Sequence, residues 1–317
     1  MRALAILFAA AFSAAAVAQS YPARPVRLVV PFAPGGAVDT VARALGQKLG
    51  ESWKHPVLVD NRPGAGGNIA ADAVAKTPAD GYTLLITTQG FAISPVLYKK
   101  LPFDAVRDFM PVTQLTSSFL VLVCSPQLPS RSIRELIALA KSKPGSINYG
   151  STGTGAPPHL LGELLKSASG IDLLHVPYKG DAPLTQALLA GEVQVAFMPL
   201  AGVLPHIKSG RLHALGVSGA ARSATLPDVP TFKEAGIPFE FTGWLGIFAP
   251  AATPRELAEQ IRRDIAKAIV APDLLERWPA WGYEPVGNSP EEFAARVAAD
   301  MAMYAKVIRD AKIPLQD

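Results

Sequence analysis

Short apolar runs alternate with amphipathic stretches along this chain, the pattern of an α/β protein with largely parallel sheets. VRLVVPF (26–32) reads as a strand, and Val38, Val41, Leu45 and Leu49 follow it at helical spacing. VLVDNRPGAGG (57–67) is a second strand ending in a glycine loop, after which Ile69, Ala70, Ala73 and Val74 mark a helix face. YTLLITT (82–88) is a third, bounded by Asp80-Gly81 and Gln89-Gly90. The next apolar run, FLVLVCSP (119–126), leads into the helix IRELIALAKSK, which starts at Ser130-Arg131-Ser132 and stops at Lys-Pro-Gly.

The same construction then begins again. INYGS (147–151) enters a glycine turn, and Leu160, Leu161, Leu164 and Leu165 give the helix that follows an apolar face. LLHVPYKG (173–180), VQVAFMP (193–199) and LHALGVSG (212–219) read as strands, with the helix PLTQALLAG after the first. GWLGIFAP (243–250) is a further strand, and Thr253-Pro254-Arg255-Glu256 reads as a helix start. Two more helices, around LLERW and EEFAARVAADMAMYAKVIRDA, form a tail expected to pack back on the first lobe. Chain crossings near 115–124 and 240–247 divide the sequence into lobe 1 (19–118 and 245–317) and an inserted lobe 2 (119–244).

The two regions share one feature that bears on chemistry. PFAPGGAVD (31–39) and STGTGAPPH (151–159) are glycine-rich turns running from a strand into a helix. A helix start presents unpaired N–H groups and partial positive charge, so two such turns facing each other would hold an anion with a negative group at each end, as in a dicarboxylate. Asp39 lies in the first turn of its helix, where it serves either the helix start or ligand orientation. His159 either donates toward the cleft or bonds the loop backbone as a structural histidine.

Met1-Arg2, the apolar run Ala3–Ala16 and the small-residue site Ala16-Val17-Ala18 read as a secretory signal peptide over 1–18, so the mature chain is expected to begin near Gln19, in a bacterial periplasm. The apolar run falls short of the ~20 residues needed to span a bilayer. Cys124 is the single cysteine, which excludes a disulfide framework or a cysteine metal site. With 317 residues, 49% of them hydrophobic and 18% charged, the chain has material for a large core and two lobes. The formal charge of +4 is diffuse, and no Lys/Arg cluster marks a nucleic-acid face.

Enzyme signatures are missing. No G-x-S-x-G elbow is present, GSTGTGAP lacks the lysine of a phosphate-binding loop, and GAGGNI lacks the third dinucleotide-binding glycine. His55, His159, His175, His206 and His213 have no zinc spacing, so neither metal nor cofactor is expected. Ser151 and His159 form a possible nucleophile–base pair, with no orienting acid evident. A secreted α/β enzyme acting on a carboxylate or ester through one of them is the alternative reading.

YPARPVRLVVPFAPGGAVDTVAR, VLVDNRPGAGGNIAADAVAKTPADGYTLL, YGSTGTGAPPHLLGELL, HVPYKG, PHIKSGRLHALGVS, LPDVPTFKEAGIP and GWLGIFAPAATP resemble, in order, the Bug/TctC family of solute-binding proteins of tripartite tricarboxylate transporters. The resemblance covers nearly the whole mature chain. It implies a two-lobed type II periplasmic-binding-protein fold that closes about a hinge on a small carboxylate, monomeric, and delivering to one large and one small membrane subunit. A ligand-sensing role would use the same closure. Carried over, it places ligand contacts at Phe32, Ala33, Pro34, Gly35, Gly36, Ala37, Ala65, Gly66, Thr87 and Thr88 of lobe 1. From lobe 2 it adds Ser151, Thr152, Gly153, Thr154, Gly155, Tyr178, Lys179 and Gly180. Ligand binding at the carboxyl ends of strands agrees with those positions. After VQVAF, the residues Met198-Pro199-Leu200-Ala201 offer no carboxylate for an ammonium group, and with Phe91 they imply a partly apolar cavity suited to aliphatic or aromatic carboxylates.

Overall fold

The computed structural model describes residues 21–178 and 180–317, so the expected signal segment and Lys179 lie outside the described residues. The described residues form two sheets. The first contains β1 (Val26–Val30), β2 (Val57–Asn61), β3 (Thr83–Thr88), β4 (Phe109–Ser118), β10 (Gly243–Pro250) and β11 (Glu284–Pro285), in the order β11-β4-β10-β3-β1-β2. The second contains β5 (Leu120–Cys124), β6 (Asn148–Ser151), β7 (Leu174–Pro177), β8 (Val195–Pro199) and β9 (His213–Val217), in the order β7-β6-β8-β5-β9.

The helices are α1 (Ala37–Trp53), α2 (Asn68–Ala75), α3 (Gly90–Leu97), α4 (Ile133–Ser142), α5 (Pro157–Ser169), α6 (Asp181–Ala190), α7 (Leu200–Lys208), α8 (Arg255–Ile269), α9 (Pro272–Leu275), α10 (Trp278–Trp281) and α11 (Pro290–Asp310). A 3-10 turn, Ala65–Gly67, precedes α2.

Both sheets are mixed rather than largely parallel. In the first, β1 pairs in parallel with β2 and β3, whereas β10 runs antiparallel to β3 and β4. In the second, β6 pairs in parallel with β7 and β8, while β5 runs antiparallel to β8 and β9. The chain returning from the second sheet enters the first against its direction, which brings the long strand β4 in beside β10. For the site the parallel parts matter. The loops after β1, β2 and β3 leave one edge of the first sheet together, and those after β6, β7 and β8 leave one edge of the second.

Strand alternation sorts side chains between layers. Leu28 and Val30 face α1 and α8, packing with Val41, Leu45, Ile261 and Ile265, while Val29 faces the other way with Leu85, Phe91 and Phe248. Full burial of each large aliphatic side chain contributes about 1.5–3 kcal/mol. The layer containing Val29 continues without a break into the second sheet, through Leu122, Tyr149, Leu161 and Val307. Helix α11 holds this junction. It packs on α3 and β4, as expected for the tail, and also on α5 of the second region.

Other local expectations change. Ile69 is 52% exposed, and the buried face of α2 is carried by Ala70, Ala71 and Val74. Helix α8 begins at Arg255 with Pro254 as its N-cap and no side-chain cap, leaving the Thr253 hydroxyl buried and unbonded. The capping box belongs to α11 instead, between Ser289 and Glu292. Ser132 caps α4 as its sequence predicts, accepting the Glu135 N–H. Cys124 is buried and free.

Candidate functional site

The two glycine turns fold into the same local structure. Gly35 and Gly155 both adopt left-handed backbone, at φ 83° and 80°. The next residue is an extended N-cap in each: Gly36 at φ −76°, ψ 172° and Ala156 at φ −68°, ψ 155°. The N-cap carbonyls accept the Thr40 and Leu160 N–H groups at 2.9 and 3.1 Å, and a helix begins between. In each turn, a side chain four residues beyond the left-handed glycine reaches back to its N–H. Asp39 Oδ2 accepts from Gly35 at 2.8 Å, and His159 Nδ1 accepts from Gly155 at 2.9 Å. Both residues are therefore bonded to the loop backbone, and both are buried.

The groups that hold these two side chains differ. Asp39 also accepts from Arg43 Nε (2.8 Å) and Asn61 Nδ2 (2.9 Å), and the same Asn61 amide donates to the Phe32 carbonyl (3.0 Å). The Arg43 guanidinium, with the Gly35 and Asn61 bonds, outweighs desolvation and holds the Asp39 carboxyl at about 2. His159 stacks on His175 with ring centroids 3.9 Å apart, and Tyr149 lies beside the pair, 4.9 Å from His175 and 6.4 Å from His159. Burial pushes both imidazoles below their ordinary value, His175 to about 4, with the neighbouring ring's charge adding to the shift there. Because Nδ1 of His159 accepts, its proton sits on Nε2.

His175 also corrects the nucleophile–base expectation. Ser151 Oγ lies 2.7 Å from His175 Nε2 and closes the loop through the Gly153 carbonyl (3.1 Å) and N–H (3.2 Å); it does not pair with His159. Ser151 is fully buried, so its hydroxyl faces the protein. The contact arises from parallel register: Tyr149 pairs with His175 and Ser151 with Pro177, so His175 rises beside alternate residues of β6. Sequence reading missed His175 and Asn61, whose positions become informative only when the strands are paired.

The open donors differ between the turns as well. In the first, the N–H groups of Gly36, Ala37 and Val38 have no partner among the described residues. In the second, the equivalent helix positions are Pro157 and Pro158, which have no N–H, so the expected row of helix-start donors is absent there. What remains is the N–H groups of Thr152, Thr154 and His159 and the two threonine hydroxyls, with Thr154 exposed.

The middle loop of the first sheet is the most contorted. Gly64, Ala65, Gly66 and Gly67 all have positive φ, and Ala65 at φ 46° is a non-glycine in that region, a conformation that costs on the order of 1–3 kcal/mol. Thr87 is buried at the end of β3, and the Thr88 hydroxyl accepts the Gly90 N–H at 3.2 Å. A methyl on Gly90 would sit 3.9 Å from the Gly66 carbonyl, so the second and third loops touch.

The two regions meet near these loops. A methyl on Gly155 would lie 2.5 Å from Leu97 of α3, and one on Gly282 would lie 3.7 Å from the Ala201 backbone nitrogen. Tyr178 anchors its loop by donating its N–H to the Ser151 carbonyl, and Gly180 caps α6 at φ 101°. Asp181, which follows, is solvent-accessible, yet desolvation raises its carboxyl above the ordinary value, as befits a group in a crevice. Its charge reaches Tyr283 of the other region, whose phenol is pushed up to about 12 chiefly by burial. Asp181 was not among the residues expected from sequence. Phe91 does not line an apolar cavity. It is core, packed on Phe103, Phe109 and Phe248. Trp244 is likewise buried in β10, its indole N–H on Asp300 at 2.8 Å.

Among the described residues no group of three metal-ligating side chains occurs, and no helix is long and apolar enough to cross a membrane. The chain is 40% identical to the UPF0065 protein in the tcbD-tcbE intergenic region of Pseudomonas sp. (strain P51), over 91% of this chain and 87% of that protein. Protein BugT of Bordetella pertussis is 37% identical, covering 97% of this chain and 95% of its own. Similar solved structures include an R. palustris protein with adipate (TM-score 0.81, 35% identity, 93% of this chain and all of that one). Periplasmic binding protein BugD (TM-score 0.78, 33%) matches over 93% of this chain and 100% of its own. MatC from Rhodopseudomonas palustris with bound malate (TM-score 0.76, 30%) matches over 91% and 100%. The model of the tripartite tricarboxylate transporter family receptor, TctC, matches residues 41–313, and the chain belongs to that family of two-lobed periplasmic solute-binding proteins, which are not enzymes.

Proposed function

We propose that this chain captures a small carboxylate between its two sheet edges and delivers it to a tripartite transporter with one large and one small membrane subunit. Residues 1–18 are removed on export, and the mature protein acts as a monomer. The observation that carries this reading is the pair of matching strand–glycine–helix turns, each held open by a side chain that takes its innermost N–H. The relatives with adipate and malate favour a di- or hydroxy-dicarboxylate.

In this reading lobe 1 (19–118, 245–317) contributes Phe32–Ala37, Ala65, Gly66, Thr87 and Thr88. Lobe 2 (119–244) contributes the loop Ser151–Gly155, in which Ser151 and Gly155 hold the turn and Thr152 and Thr154 meet the ligand, together with Tyr178, Lys179 and Gly180. An anion touching both lobes stabilises the closed form by its differential contacts. The first lobe supplies backbone N–H groups to one carboxylate and the second supplies threonine donors. The test is a thermal-shift screen with adipate, malate and citrate against amino acids, sugars and divalent metals. A carboxylate at 100 times its dissociation constant should add about 2.7 kcal/mol of stability. A response to an amino acid, sugar or metal alone would overturn the reading.

A further inference from the structure

The second turn is fastened by two imidazoles, each committing one nitrogen to it. His159 Nδ1 removes the Gly155 N–H from the pool of open donors, at 2.9 Å. His175 Nε2 engages the Ser151 hydroxyl at 2.7 Å, and the same hydroxyl ties the Gly153 N–H. The rings stack nearly parallel, 14° apart, against Tyr149, whose phenol donates to Glu163, itself paired with Lys166. Between Lys166 and α11, a cavity of about 400 Å³ brings Lys306 and Asp310 to the same wall. Of these, Glu163 and Lys166 act on the stack, Glu163 favouring and Lys166 opposing protonation of both rings, while Lys306 pairs with Asp310.

We infer that His159 and His175 are positioning residues of the second-lobe anion loop, fixing Ser151–Gly155 so that the Thr152 and Thr154 donors are presented to a carboxylate. This rests on the binding reading above and adds to it which groups hold the loop and through which atoms. The atoms make it testable by isosteres. Asparagine places its carbonyl oxygen where Nδ1 of a histidine lies, and glutamine places its amide where Nε2 lies. His159→Asn and His175→Gln should therefore retain the loop, whereas His159→Gln and His175→Asn should lose one bond each.

The experiment is calorimetry with adipate, or with malate if adipate is silent, on the wild type and all four variants at pH 7.5. Amide exchange at Gly153 and Gly155 is followed by NMR in parallel. The expected result is affinity within about twofold of wild type for the matched pair and about three- to tenfold weaker for the mismatched pair, the range one hydrogen bond supports. Faster exchange should appear at Gly155 in His159→Gln and at Gly153 in His175→Asn. Equal behaviour of Asn and Gln at both sites would overturn the proposal, since ring packing alone does not distinguish them. If the wild type binds neither acid, the carboxylate reading fails, and the exchange pattern still decides whether the imidazoles fasten the loop. Should a variant be too unstable to assay, nitrogen-15 NMR of the wild-type histidines replaces it: a protonated Nδ1 on His159 would overturn the assignment.

Discussion

The two glycine turns share a backbone and differ in nearly every group that completes it. Around Gly35 the back-reaching side chain is a carboxylate, neutralised by Arg43 one turn along the helix and hydrogen-bonded by the Asn61 amide. Around Gly155 it is a neutral imidazole, and the residue one turn along is Glu163. The first turn keeps three open helix-start N–H groups, whereas the second has prolines at the positions following its N-cap. Backbone geometry alone thus does not make an anion site. In the proposed reading the first turn receives charge through N–H groups and the helix dipole, and the second receives shape through hydroxyls.

The largest difference should appear in stability on adding a methyl to each left-handed glycine. Gly35→Ala meets nothing within 4 Å, so only the unfavourable φ opposes it, about 1–2 kcal/mol. Gly155→Ala carries the same strain and drives its methyl to 2.5 Å from Leu97, for a total of about 3 kcal/mol or more. Urea denaturation measures both, and Leu97→Ala combined with Gly155→Ala should be less than additive. Equal losses for the two glycines would mean that the Leu97 contact yields freely.

Next in size is an exchange of donor chemistry. Ala37→Pro removes one N–H from the first turn at the position where proline suits a helix start, and the extended Gly36 before it accommodates the ring. The first turn then resembles the second. Carboxylate affinity should fall by about 1.5–3 kcal/mol with little change in stability, as for a lost hydrogen bond to a charged group. Thr154→Ala removes a neutral donor from the second turn and should cost about 0.5–1.5 kcal/mol. If the two effects are reversed in calorimetry, the second lobe rather than the first receives the charge.

How much of this was legible in the sequence follows from where polar groups sit. The units β1–α1 and β6–α5 are plain because an apolar run, a glycine turn and a 3.6-residue period occur together. Strand β4 is not, since FMPVTQLTSS carries Thr113, Gln114 and Thr116, all buried. Thr113 finds a partner distant in sequence, the Asn288 carbonyl at 2.8 Å, Gln114 Nε2 donates to the nearby Thr116 carbonyl, and the Thr116 hydroxyl is left unbonded. Helix α3 hides behind Pro95, an internal helix breaker. Asp39 and His159 stood out because a charged or titratable group in a first helical turn invites a question. His175 did not, because its meaning depends on strand register. The prolines after Ala156 were visible in the sequence throughout, and they alone show that the second turn lacks two of the donors expected of it.

The smallest expected effect, and the most direct contrast between the fastening groups, is their response to acid. The Asp39 carboxyl is held at about 2, below its ordinary 3.8, so its stabilisation is complete above about pH 4 and is lost only as pH falls toward 2. The imidazoles are also depressed, from an ordinary 6.5, with His175 at about 4. The unfolded chain therefore takes up their protons first, and the stability that the neutral stack contributes is present above about pH 6.5 and declines as pH falls toward 4. A protonated His159 would also turn its accepting nitrogen into a donor facing the Gly155 N–H. Between pH 6.5 and 4 the second turn should loosen while the first stays fastened. Amide exchange followed at Gly35 and Gly155 through that range should show protection falling at Gly155 alone, and His159→Asn should abolish most of the fall. Simultaneous loss at both glycines would mean that the turns open together with the whole molecule, and that the difference between carboxylate and imidazole has no local consequence.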